Sequence, residues 1–202
     1  MCLRGRDQGG KTFLIAVADV AGKSVPAAML MATFQASLKT LSDTSGPLTG
    51  LVARMNRYAC SNSQNGRRFT TAFIAEYDPA TRRLTYVNAG HNAPIVLRRS
   101  GAVERLDVGG MPLGVMDAAA YESGEVTLGA GDWLVVFTDG VVEAENPGQL
   151  QYGEERLLVM LRWGVNLAPQ AMLEQLLADI GRFEADAPQH DDITCLLMKC
   201  GG

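Results

Sequence analysis

Phe13-Leu14-Ile15-Ala16-Val17-Ala18-Asp19-Val20-Ala21-Gly22-Lys23-Ser24-Val25-Pro26-Ala27-Ala28 decides how the chain is read. The apolar run at its start predicts a buried strand. The run ends in Asp19, turns at Gly22 and enters a helix through Ser24, an N-cap residue, and Pro26, which suits a first turn. A carboxylate at the exit of a buried strand is costly unless something cationic pairs with it. Taken alone, Asp19 reads as a turn or capping residue.

The same arrangement recurs twice. Asp139 follows Trp133-Leu134-Val135-Val136-Phe137-Thr138, and Asp191-Asp192 precedes Ile193-Thr194-Cys195-Leu196-Leu197. Each time a carboxylate stands where a buried strand meets a loop. Neighbouring strands would bring the three together, and clustered carboxylates persist only with bound cations or raised pKa values. Oxygen donors with no matching Cys/His set favour magnesium or manganese over zinc. Two such ions orient an attacking hydroxide and neutralise a phosphoryl group, which needs no nucleophilic side chain. None stands out: there is no GxSxG, no P-loop and no GxGxxG placed after a strand.

Outward from the opening stretch, Asp7-Gln8-Gly9-Gly10 predicts a hairpin turn before a strand at Lys11–Val20, leaving only Met1–Arg6 for the preceding strand. Apolar residues at spacings of three and four predict a helix to about Leu41 and a second from Leu48 to about Ser61, together an αα-hairpin. Alternation predicts strands over Phe69–Tyr77, Leu84–Asn88, Ile95–Arg98, Val103–Leu106, Glu122–Leu128 and Asp132–Thr138. Tyr152–Trp163 and Pro169–Phe183 read as helices, and Ile193–Met198 as a closing strand. Strands grouped between paired helices predict an α+β domain of stacked sheets covered by helices.

Composition excludes several classes. The 202 residues are 47% hydrophobic with a net charge of −4, room for one large domain or two small ones. The acidic balance and the lack of a basic stripe argue against nucleic acid. No apolar run reaches the roughly 18 residues of a membrane span, and no signal peptide is visible. Cys2, Cys60, Cys195 and Cys200 have no CxxC spacing and read as reduced thiols, so a cytoplasmic protein is expected.

Five motifs in order carry a family likeness. Asp19 to Ala28, Asn88-Ala89-Gly90-His91-Asn92-Ala93-Pro94, Gly110-Met111-Pro112-Leu113-Gly114, Thr138-Asp139-Gly140-Val141-Val142-Glu143 and Asp191-Asp192-Ile193-Thr194 resemble the metal-dependent, type 2C-like protein phosphatases. The nearest branch is the bacterial one of sporulation stage II protein E and RsbU. The resemblance implies a central β-sandwich of two antiparallel sheets flanked by α-helices. It also implies hydrolysis of phosphoserine or phosphothreonine by a metal-activated water, with Mn2+ or Mg2+. Carried over by position, Asp19 bridges two metals with the Val20 carbonyl as a further ligand, and Asp139 and Asp191 complete the first metal site. Asp192, where relatives have Asp or Asn, orients Asp191.

In the same way the resemblance implies a phosphorylated STAS-type anti-sigma-factor antagonist as substrate and an upstream sensor or receiver domain. It further implies a regulatory role for the helical hairpin, coupled to a homodimer or to the sensor. Relatives carry an acidic GGDxYD-type motif on the strand before Asp19. This chain has only Asp7 there, in the expected turn, so residues 1–202 read as a single phosphatase-like domain lacking its first strand, the C-terminal module of a larger regulator. That gap motivates a rival reading, a catalytically silent domain that binds a phosphoprotein or dimerises. A hydrolase of small phosphate esters is a third.

Of the remaining residues, His91 reads as a brace for its loop rather than a general acid. Lys23 reads equally as a phosphate contact or a solvated lysine, and His190 as a surface-loop histidine rather than a gate beside Asp191. Gly110, Pro112 and Gly114 read as a tight-turn device, and Met29, Met31 and Met55 as packing.

Overall fold

The computed structural model describes residues 2–7, 11–22, 25–42, 46–62, 68–188 and 191–201. In chain order the elements begin β1 (Cys2–Asp7), β2 (Lys11–Val20), α1 (Val25–Leu41), α2 (Leu48–Asn62), β3 (Thr70–Asp78), β4 (Arg83–Ala89), β5 (Ile95–Leu97) and β6 (Val103–Arg105). They continue β7 (Gly109–Gly110), β8 (Gly124–Thr127), β9 (Trp133–Phe137), α3 (Asp139–Val142), α4 (Gly153–Trp163), α5 (Pro169–Glu184) and β10 (Cys195–Lys199). The chain divides into two compact units, residues 1–93 with 106–127 and residues 94–105 with 128–202.

The first unit is built on the sheet β1-β2-β3-β4-β7, with β8 also paired to β4. All its ladders are antiparallel except β4–β7, where Asn88 and Ala89 run parallel to Gly109 and Gly110. β2 and β3 pair along eight residues from Phe13↔Tyr77 to Val20↔Thr70. Alternate residues of these strands, Leu14, Ala16, Ala72 and Ile74, with Val87 of β4, pack against Leu38 of α1 and Leu48, Leu51, Val52 and Met55 of α2. The period of two on the strands meets the period near 3.6 on the helices, so one apolar core forms under the hairpin. Phe73 and Tyr86 stack at 5.7 Å between centroids.

The second unit is built on the antiparallel sheet β10-β9-β5-β6. Trp133, Val135 and Phe137 of β9 and Ile95 and Leu97 of β5 share one face. They pack against Leu157 and Leu161 of α4 and Met172, Leu176 and Ile180 of α5. Trp133 is fully buried, its indole N–H donates to the Val165 carbonyl at 3.0 Å, and the Lys199 ammonium lies 4.9 Å above its ring. Asp132, just before β9, is buried. It accepts from Arg98 at 2.8 Å and from the Arg99 and Gly129 amides at 2.9 and 2.8 Å. Two sheets with helices make the α+β class expected from the pattern. Among the described residues no helix is long and apolar enough to cross a membrane.

Several expectations need correction. Cys2–Asp7 does form a strand antiparallel to β2, so six residues supply the partner that the turn implied. Asp7 ends that strand opposite Lys11 rather than lying in the turn. Asp139-Gly140 opens the short helix α3 instead of merely ending β9. Gly109-Gly110 is a strand, not only turn material. Met55 lies in the core at 2% exposure but Met29 is 66% exposed, because α1 turns Ala27 and Leu38 inward and Met29 away. Residues 8–10, Lys23, Ser24 and His190 lie outside the described residues.

Candidate functional site

Asp19 reaches its place at the end of the apolar run Phe13–Ala18 of β2. It stands opposite Thr71, and Val20 opposite Thr70. Thr71 Oγ1 lies 3.1 Å from His91 Nδ1 and 3.5 Å from the Asp19 main-chain oxygen. The imidazole contact is the stronger, since 3.5 Å is marginal for a hydroxyl. His91 is 8% exposed. Its amide donates to Asn88 Oδ1 at 2.7 Å, and Asn88 Nδ2 donates to the carbonyls of His91 at 3.0 Å and Leu106 at 3.1 Å. The imidazole is therefore held between the 88–91 turn and β3, a bracing position.

The two glycine-rich motifs of this unit meet each other. Gly90 has φ +68°, and a Cβ there would come within 2.5 Å of the Pro112 ring. Next to Pro112, Leu113 exchanges two main-chain bonds with Thr70, at 2.8 and 2.9 Å. The loop that follows is gripped by Asn56 of α2, a fully buried amide. Its Oδ1 accepts from the Gly114 amide at 3.0 Å, and its Nδ2 donates to the carbonyls of Met116 at 2.8 Å and Asp117 at 3.2 Å.

In the second unit the end of β9 is tied to the segment entering β10. The buried Thr138 hydroxyl donates to the Asp192 carbonyl at 3.1 Å and accepts from the Thr194 amide at 3.0 Å. The Thr138 amide donates to the Thr194 carbonyl at 3.0 Å. Gly140 is fixed by a close approach: a Cβ there would lie 2.5 Å from the Asp192 carbonyl oxygen. Asp139 and the Asp191-Asp192 pair are thus carried on two segments in direct main-chain contact. Each first carboxylate is oriented by the next amide, Gly140 N–H to Asp139 Oδ1 at 2.9 Å and Asp192 N–H to Asp191 Oδ1 at 2.8 Å. Asp139 is half-buried and Asp191 and Asp192 are exposed.

Asp139 forms no salt bridge among the described residues. A hard divalent cation fits this donor set: carboxylate oxygens, oriented by amides, on a junction that brings two segments together. Among the described residues, no group of three or more His, Cys, Asp or Glu side chains is spaced to hold an ion by itself. Cys195, three residues beyond Asp192, offers no rival chemistry. Burial pushes its thiol up to about 12, so it stays protonated at neutral pH.

Sequence reasoning picked out the carboxylates but missed what holds them. Thr138, Thr71 and Asn56 were not singled out. Asn56 left a signal, a lone amide among the apolar positions Leu48, Leu51, Val52 and Met55 of α2. The need for glycine at 140 is set by the Asp192 carbonyl, which the sequence does not reveal.

Known proteins resemble this chain in sequence and in fold. The family model described as stage II sporulation protein E (SpoIIE) matches residues 9–201. The phosphoserine phosphatase RsbU of Bacillus subtilis is 27% identical over 187 residues, covering 92% of this chain and 55% of RsbU. The chain spans about half the length of RsbU and about a third of other curated relatives. The SiaA-PP2C domain of Pseudomonas aeruginosa superposes with a TM-score of 0.80 at 23% identity, over 96% of this chain and 78% of that one. RsbX, in a crystal structure with magnesium, gives 0.68 at 19% identity, over 96% and 83%. These likenesses show the fold, that of the type 2C phosphatase domain.

Proposed function

The chain belongs to the stage II sporulation protein E (SpoIIE) family, and from that premise we propose that it is a metal-dependent serine/threonine protein phosphatase domain. The observation that carries the reading is the junction in the second unit, where Thr138 and Gly140 lock the Asp139 segment to the Asp191-Asp192 segment. That construction serves no packing purpose for the carboxylates themselves, which face outward or lie half-exposed. The named phosphoserine phosphatase RsbU and the magnesium-bound RsbX among the relatives support it.

In this reading Asp19, Asp139 and Asp191 are the ion-holding carboxylates, the Val20 carbonyl is a further ligand, and Asp192 orients Asp191. An Mn2+ or Mg2+ ion held there would supply Lewis-acid chemistry, making a water more acidic and offsetting charge on a phosphoryl group. The chain's own residues do the rest. The amides of Gly140 and Asp192 fix the carboxylate planes, and Thr71 and His91 hold β3 beside Asp19. No side chain has to act as a covalent nucleophile.

The substrate class is a serine- or threonine-phosphorylated regulatory protein, a STAS-type anti-sigma-factor antagonist by family likeness. The chain acts as one module, in the cytoplasm, of a regulator that also holds a sensor or receiver domain and forms a homodimer. The test is hydrolysis of p-nitrophenyl phosphate and of a phosphoserine protein with and without manganese. Asp139→Asn lowers turnover about 100-fold, equivalent to ~3 kcal/mol of barrier. It leaves the melting temperature without metal unchanged, since Asp139 forms no salt bridge among the described residues. Undiminished turnover in that variant refutes the reading.

A further inference from the structure

We propose that Asn56 is a positioning residue, which clamps the Gly114–Asp117 loop to α2 and thereby sets the β3 end that flanks Asp19 and Val20. An amide in the core stripe of a helix is unfavourable unless satisfied, and Asn56 is fully satisfied and fully buried. Gly114 N–H, Met116 O and Asp117 O all belong to one loop 58 to 61 residues away, and its own helix adds only the long contact of Cys60 Sγ to Oδ1 at 3.7 Å among the described residues. Val115 and Met116 are 44% and 49% exposed, so its apolar side chains are not tucked into a core. Removing the amide takes away three hydrogen bonds between α2 and the loop and leaves the buried Gly114 N–H without that acceptor.

From the loop, two short routes lead to Asp19. Leu113 is bonded in both directions to Thr70, and Thr70 and Thr71 face Val20 and Asp19 across the ladder. Pro112 packs on Gly90, the neighbour of His91, whose Nδ1 meets the hydroxyl of Thr71. Both routes end on the residues proposed above to hold the ion, so the catalytic part of the inference rests on that proposal. The structural part, the clamp on Leu113 and Thr70, does not.

The experiment compares Asn56→Leu with Val52→Ala, a fully buried position one turn away on the same helix. Both variants lower the melting temperature. Only Asn56→Leu lowers kcat toward p-nitrophenyl phosphate, about tenfold, with KM within about twofold. Only Asn56→Leu speeds amide exchange at Leu113 and Thr70, by about tenfold. If Asn56→Leu does not fold, Asn56→Asp, which keeps the acceptor for Gly114, is read in the same two ways. An Asn56 variant that matches Val52→Ala in kcat and in exchange at Leu113 and Thr70 overturns the proposal. Should the unmodified chain show no manganese-dependent turnover, the phosphatase reading falls, and exchange at those two amides alone decides the clamp.

Discussion

Each unit carries an aspartate to the end of a strand, but the two hold it by opposite means. At Asp19 the work is done by side chains: Thr71, His91, Asn88 and, further back, Asn56. At Asp139 it is done by one hydroxyl, that of Thr138, and chiefly by main chain brought so close that only hydrogen fits on the α-carbon of Gly140. A side-chain network fails when a partner is deleted, whereas a close approach fails when volume is added.

The largest effect expected from this contrast is at Gly140. Gly140→Ala drives a methyl into the Asp192 carbonyl and costs about 3 kcal/mol, with activity falling alongside. In a chain of this length that lowers Tm by roughly 10 °C, which calorimetry reads directly. A loss smaller than that of Thr71→Val breaks the comparison. Next comes Thr138→Val, which keeps the shape but orphans the Thr194 amide and the Asp192 carbonyl, at about 2 kcal/mol in urea unfolding. Thr71→Val comes third at about 1 kcal/mol, since it forfeits one good contact and one marginal one.

The smallest effect sharpens the contrast by pH. Burial pushes the Asp132 carboxyl up, but the Arg98 guanidinium and the amides of Arg99 and Gly129 outweigh it and hold the group below the usual carboxylate range. A depressed folded pKa means the contribution is present above the unfolded value of about 3.9 and is lost as pH falls through the folded one. Asp132→Asn therefore reduces the acid sensitivity of the second unit below about pH 4, read by the fluorescence of the adjacent Trp133. An unchanged acid transition in that variant removes the ion pair from the account.

Much of this was legible in the sequence because it follows from periodicity. β2, the α1–α2 hairpin, β3, β9 and α5 are long, and their apolar spacing has one interpretation. The three carboxylates were legible because each stands at the beginning or the end of an apolar run. What escaped is what depends on contact across the chain. Two glycines at 109–110 carry no apolar pattern, so the parallel β4–β7 pair left no trace. Thr138 looks like any strand-end threonine until Asp192 and Thr194 are placed against it. Asn56 breaks its helix's stripe, a visible flaw whose purpose lies 58 residues away.

The close approach at position 140 also bears on how this domain can age. Its missing side chain answers to architecture, whereas the acids beside it answer, in the reading proposed above, to chemistry. A descendant that abandoned hydrolysis for scaffolding would drift at 139 and 191 while still carrying glycine at 140 and a hydroxyl at 138. Such a pseudoenzyme would be recognised by an intact frame around vacant acid positions.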